Sequence, residues 1–223
     1  MLTTPSLSIS GSTDHWTGKL DLTTTSLDVQ NGNLSTITNQ VKQGYANGSW
    51  QGGGGITSSA AAADPTHLTA LGVIVNNDGN GNQLYGSGTA LGLFDGANPG
   101  MNDVLIKYTY YGDTNLSGTV DGSDYSRIDA AYAADKATPG AMTGWFNGDF
   151  NYDGVIDGSD YTLIDNAFNT QGASLAAQVA SSTAQIAAAA AVPEPASLAL
   201  LGLGAVGMLG RRRSLFWRAR DRA

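Results

Sequence analysis

The chain has 223 residues, enough for one or two domains with a core of useful size, and no cysteine, which excludes a disulfide framework and thiolate metal sites. Thirty glycines and only 13% charged residues, with abundant Ser, Thr and Asn, argue for turn-rich β architecture and against a helical cytosolic enzyme. The net charge of −8 hides an asymmetry: six of the eleven Lys and Arg follow Gly210, so residues 1–210 hold five basic against eighteen acidic residues, a balance that argues against nucleic acid as a partner.

Met1–Pro5 shows neither the basic nor the apolar region of a signal peptide, whereas the opposite end holds an apolar run, Ala196–Gly210, followed by Arg211-Arg212-Arg213. The expectation is therefore that this sequence is the C-terminal part of a longer exported protein, or begins at a misplaced start. Residues 6–41 read as strands, with apolar residues at every second place in Lys19–Thr23 and Ser26–Val29 and a turn at Asn31-Gly32-Asn33. Gln51–Gly55 reads as a flexible loop, Leu71–Val75 as a buried strand followed by a turn-rich stretch, and Val104–Tyr111 as the best strand of the chain.

Directly after that strand comes DTNLSGTVDGSD (Asp113–Asp124), and 36 positions later DFNYDGVIDGSD (Asp149–Asp160). Each places Asp, Asn or Ser at its first, third and fifth positions, Gly at the sixth, and Asp at the ninth and twelfth. That spacing is the layout of a twelve-residue calcium loop, because calcium takes six to eight oxygens and the chain must turn sharply at the Gly. The first loop would supply side-chain oxygens from Asp113, Asn115, Ser117, Asp121 and Asp124 and the carbonyl of Thr119. The second would supply them from Asp149, Asn151, Asp153, Asp157 and Asp160 and the carbonyl of Val155. Two Ca2+ sites are expected, the second the tighter, since Ser117 stands where Asp153 does and a hydroxyl is the weaker ligand. Seven of the seventeen Asp in residues 1–210 fall in these loops.

A helical apolar stripe follows each loop, Tyr125, Ile128, Ala131 and Tyr132 after the first and Tyr161, Ile164, Ala167 and Phe168 after the second. The repeated unit is thus loop plus helix, with Trp145 and Phe146 available for a shared core. Residues 171–191 turn Ser/Ala-rich and read as a linker. Val192-Pro193-Glu194-Pro195 precedes an apolar run, Ala196–Gly210, and the cluster Arg211-Arg212-Arg213, which reads as a transmembrane segment with its basic end cytoplasmic, then a basic tail over 214–223. No nucleophile motif, phosphate loop or zinc spacing surrounds His15 or His67, so a non-catalytic protein is expected. Trp16, Tyr45 and Trp50 are assigned to core packing ahead of sugar stacking.

The duplicated loop-helix pattern over 112–168 resembles the type I dockerin family. That resemblance implies two calcium loops with the ligands just named. It also implies docking onto a cohesin, with contacts beginning at Ser123-Asp124-Tyr125 and Ser159-Asp160-Tyr161. Ser117 and the long linker between repeats depart from the family pattern. Residues 192–213 resemble the PEP-CTERM sorting signal, which implies export, processing by an exosortase-type protease near Pro193-Glu194-Pro195, association with the membrane through 196–210, and delivery to the cell surface or extracellular matrix. The front segments Lys19–Thr23, Gly48–Trp50, Gly55–Ala60 and Val104–Gly112 resemble β regions of other PEP-CTERM proteins, which implies the end of a β-solenoid.

The expected organisation is α+β: a β-rich region over 1–111, a small helical calcium module over 112–170, the linker, and a C-terminal transmembrane helix within 192–213. The functional expectation is an exported calcium-binding surface or matrix protein. The alternative is the C-terminal fragment of a polysaccharide-degrading, glycoside hydrolase-like enzyme whose dockerin meets a cohesin; an extracellular polysaccharide is the other candidate partner.

Overall fold

A computed structural model of the protein describes residues 1–175, all within the first of the chain's two units, Met1–Ala180. Its centre is a mixed four-stranded sheet in the order β1-β5-β8-β7, formed by β1 (Leu2–Thr4), β5 (Leu27–Val29), β7 (Thr69–Val75) and β8 (Val104–Tyr110). β1 runs parallel to β5, whereas β8 is antiparallel to both β5 and β7, pairing with β7 from Thr69↔Tyr110 to Val75↔Val104. β7 and β8 are buried on both faces, which explains their near-continuous runs of β-branched and aromatic residues. Between β1 and β7 the chain also forms β2 (Gly11–Ser12), β3 (His15–Trp16), β4 (Lys19–Asp21), α1 (Leu34–Tyr45), β6 (Gly55–Thr57) and the short α2 (Ser59–Ala63), with small sheets β2/β3 and β4/β6.

The sequence-based strand over residues 6–41 is corrected at α1. Asn33 caps this helix, its side chain accepting from the Thr36 N–H at 2.8 Å, and Ile37, Gln40, Val41, Gly44 and Tyr45 form the buried stripe. β-branched Thr36, Ile37, Thr38 and Val41 mask the helix locally; burial of the stripe decides it. The glycine run expected to be a flexible loop lies instead against α1. A Cβ at Gly44 would sit 1.8 Å from the Ile56 carbonyl oxygen, and one at Gly55 2.1 Å from that of Gln40. Close backbone approach, not flexibility, is what those glycines provide.

Two further expectations are corrected. A β-solenoid stacks successive rungs in parallel, but β5 pairs antiparallel with β8 across a long sequence separation and a helix intervenes. The front is therefore a mixed sheet with a packed helix, and the α+β class stands without the solenoid. No helix among the described residues is long and apolar enough to cross a membrane. The segment expected to do so, 196–210, lies outside the described residues, and its fifteen positions fall short of the about 20 that a helical span requires. The sorting residues Val192, Pro193, Glu194, Pro195, Arg211, Arg212 and Arg213 also lie outside them.

After β8 come α3 (Gly122–Ala137), a 3-10 turn (Trp145–Asn147) and α4 (Gly158–Thr170). One continuous core runs from Leu22 through the sheet to Ile164 and Leu175. Residues 171–175, expected to open the linker, are tied to the first loop. Gln171 pairs with both main-chain groups of Val120, and the Leu175 N–H donates to the Gly118 carbonyl at 3.1 Å.

Candidate metal centre

β8 delivers the chain straight into the first loop, and the last turn of each loop is the first turn of a helix. Asp121 and Asp157 are N-caps, accepting from the Ser123 N–H at 2.7 Å and the Ser159 N–H at 2.8 Å. The twelfth-position acids close the capping boxes: Asp124 Oδ2 accepts from the Asp121 N–H at 2.9 Å, and Asp160 Oδ2 from the Asp157 N–H at 3.0 Å. Their other oxygens reach back to the loop start, Asp124 Oδ1 to the N–H and hydroxyl of Thr114, Asp160 Oδ1 to the N–H groups of Phe150 and Asn151. One carboxylate thus ties helix to loop in each repeat.

The two loops share one backbone. φ is 62° at Leu116 and 61° at Tyr152, the fourth positions, and 92° at both Gly118 and Gly154, the sixth. Such agreement at left-handed positions marks duplicated geometry as well as duplicated sequence. The helices interlock reciprocally. The Tyr125 hydroxyl donates to Asp165 and the Tyr161 hydroxyl to Asp129, each at 2.6 Å. Tyr125 meets Phe168 and Tyr132 meets Tyr161 edge-to-face. Gly112 and Gly148, just before the two loops, abut Ile164 and Ile128 of the opposite helices; a Cβ at either would come within 2.5 Å.

The first-position acids are buried. Asp113 accepts from the Ser117 N–H at 2.9 Å through one oxygen, and from the Gly118 N–H at 2.7 Å and the Thr109 hydroxyl through the other. Asp149 accepts a long bond from the Gly144 N–H, 3.3 Å, and its charge is also favoured by the Gly154 N–H, while its buried Oδ1 has no hydrogen-bond partner. Asn115 and Asn151 accept from the N–H groups of Ser117 and Asp153, while Ser117 Oγ lies 3.1 Å from the Thr119 carbonyl oxygen. Asp153 and Val155 are exposed.

Burial, with the nearby Asp124 charge adding to it, lifts the Asp113 carboxyl to about 7. Burial likewise raises Asp124 and Asp149, and lifts Asp160 to about 6 with the Asp149 charge contributing. Asp121 and Asp157 are held low by hydrogen bonds from Ser123 and Ser159. Each loop therefore pairs buried first- and twelfth-position carboxyls whose ionisation is penalised unless a cation joins them. Among the described residues no group of three or more His, Cys, Asp or Glu is disposed to hold a metal. The donor sets named from the sequence include Asn, Ser and main-chain oxygens beside the acids, and hard oxygen throughout suits calcium. The unpartnered Asp149 Oδ1 and the destabilised buried carboxylates fit such an ion.

Reasoning from spacing missed the even-numbered positions. Thr114, Leu116 and Val120 in the first loop, and Phe150, Tyr152 and Ile156 in the second, are all buried. Leu116 and Trp145 fill the space above Gly72 of β7, where a Cβ would lie 2.5 Å from Leu116 and 2.6 Å from Trp145. The Trp145 indole N–H donates to the Asp113 carbonyl at 2.6 Å, and its ring packs on Tyr152 and Phe150. The Tyr152 hydroxyl donates to the Leu71 carbonyl of β7, and the Tyr85 hydroxyl to the Asn115 carbonyl at 2.9 Å. Large apolar residues at the fourth place of each loop were the available signal, since a solvated loop has no use for them.

Trp145 takes the expected core role; Phe146 is half-buried beneath the Arg127 guanidinium, 3.8 Å from its ring centre. Trp50 and Tyr45 pack against each other in the core. Asp124 and Asp160, expected among the residues that begin partner contact, are fully buried and offer a partner no surface.

Two loop-helix units with one backbone and a reciprocal helix interlock define a tandem calcium-loop module. Residues 111–169 match the dockerin type I domain family, and residues 191–213 match the PEP-CTERM protein-sorting motif. The chain thus carries both, which marks it as an exported, sorted protein of calcium-binding type. No curated protein and no solved structure matches it. A dockerin domain implies a cohesin partner, and the sorting motif implies exosortase processing.

Proposed function

We propose that the protein is a non-catalytic, exported surface or matrix protein whose loops each bind one calcium ion. Asp113, Asn115, Ser117, Thr119, Asp121 and Asp124 would hold the first ion, and Asp149, Asn151, Asp153, Val155, Asp157 and Asp160 the second. Calcium would supply positive charge to carboxylates that burial otherwise disfavours. The observation that carries this reading is the identical left-handed backbone of both loops around buried first- and twelfth-position acids. Ser123 and Ser159, exposed at the helix starts, are the polar groups nearest to where a cohesin-type partner would begin contact. The sorting motif would be processed near Pro193-Glu194-Pro195, leaving the calcium-folded unit outside the cell.

Equilibrium dialysis of the full chain against labelled calcium tests the reading. Two ions per chain are expected, falling to one in Asp149→Ala and in Asp113→Ala proteins. A stoichiometry of zero, or one unchanged by either substitution, would overturn it.

A further inference from the structure

We propose that calcium in the two loops also holds the β7–β8 end of the sheet in place, so that loops and sheet open as one unit. This rests on the calcium reading above and extends it to residues that touch no ion. In each loop the candidate ligands are the first, third, fifth, seventh, ninth and twelfth residues, and the second, fourth and eighth are buried. Leu116 stands between the candidate ligands Asn115 and Ser117, and Tyr152 between Asn151 and Asp153. An ion that draws the third and fifth residues together fixes the fourth on the opposite side. Leu116 and Tyr152 hold φ near 60°, a backbone state costly for such side chains unless the surroundings enforce it.

Both residues are seated on β7, the edge strand of the sheet. Leu116 plugs the gap above Gly72, and Tyr152 binds the Leu71 carbonyl through its hydroxyl. The coupling is doubled from β8, where the Thr109 hydroxyl donates to the first ligand Asp113. β7 itself carries no charged residue and no proline along Thr69–Val75, two of the features that protect an edge strand, and Tyr152 instead occupies one of its main-chain groups. Loss of the ion would release seven carboxylates to repel one another, and the two residues between them would lose the geometry that seats them.

Hydrogen exchange of the full chain, read by mass spectrometry in saturating calcium and in EGTA, tests this. A ligand at one hundred times its dissociation constant favours the closed state by about 100-fold per site. Peptides covering 69–75 and 104–110 are therefore expected to exchange about 100-fold or more faster in EGTA, together with those covering both loops. Tyr152→Phe, which keeps the ring and removes the bond to Leu71, is expected to leave the loops responsive to calcium while shrinking the response of 69–75. If the loops respond and the sheet does not, the coupling is wrong and the calcium reading stands. If the loops do not respond at all, both fall.

Discussion

The two calcium loops share a backbone but not an environment. The first is threaded between the sheet and the loop before β8, with buried and half-buried residues alternating from Thr114 to Val120. Its leading acid already has both oxygens occupied by protein donors. The second turns outward at Asp153, Gly154 and Val155, carries a fourth carboxylate, and leaves Asp149 Oδ1 buried without a partner. One motif thus sits in two settings: the leading acid of the first copy is held by protein hydrogen bonds at both oxygens, whereas that of the second has a buried oxygen without a hydrogen-bond partner. The difference teaches that ligand spacing fixes loop shape, while surroundings decide how much of that shape depends on the ion.

Removing calcium altogether is expected to have the largest effect. Two sites at one hundred times their dissociation constants contribute about 5 kcal/mol, so calorimetry in EGTA should show the melting midpoint about 10–20 °C lower than in calcium. The greater part of the fall should disappear in an Asp149→Ala protein and the lesser part in Asp113→Ala, if the second copy relies more on the ion.

Next come the residues that seat the loops. Leu116→Ala should cost about 2–5 kcal/mol by opening a cavity over Gly72. Tyr152→Phe should cost about 1–2 kcal/mol by leaving the buried Leu71 carbonyl unpaired. Urea unfolding in saturating calcium measures both, and equal costs would contradict the apolar and polar seats described here. Exchanging the fifth-position residues is subtler. Ser117→Asp should tighten the first site about tenfold and Asp153→Ser should loosen the second by a similar factor, as seen in calcium titrations of each variant.

The smallest expected effect supplies a reference outside both loops. Asp28 of β5 is buried, one of its oxygens is unpartnered, and burial, then the Asp103 charge, lifts it to about 6. Its folded state holds the proton more tightly than the unfolded chain does, at an ordinary value near 3.9. Stability from this group is therefore full below about pH 4 and is lost as pH rises through about 6. Asp28→Asn should raise stability by about 1 kcal/mol at pH 8 and leave it unchanged at pH 4, with calcium or without. A gain confined to calcium-free protein would tie Asp28 to the loops and break the contrast.

Much of the candidate site was legible because its chemistry is local. Ligand spacing, the loop Gly and the helix stripes all lie within twelve or sixteen residues of one another, and the stripes reappear as buried Ile128, Ala131, Ile164 and Ala167. What joins the module to the rest was not legible, because Leu116 meets Gly72, and Tyr152 meets Leu71, only through the tertiary fold. The front was hardest to read. α1 carries four β-branched residues that favour strands, and the glycines of 52–55 resemble a linker in composition while Gly52 and Gly55 serve as contact points for a helix. Both errors share a cause: the deciding term was burial against a distant segment, which no short window contains.

Isothermal titration of calcium into the full chain tests the central claim most directly. Two sites of unequal affinity are predicted, the tighter one weakened by Asp153→Ser and the looser one strengthened by Ser117→Asp. A flat titration, or one class of sites insensitive to both substitutions, would contradict it.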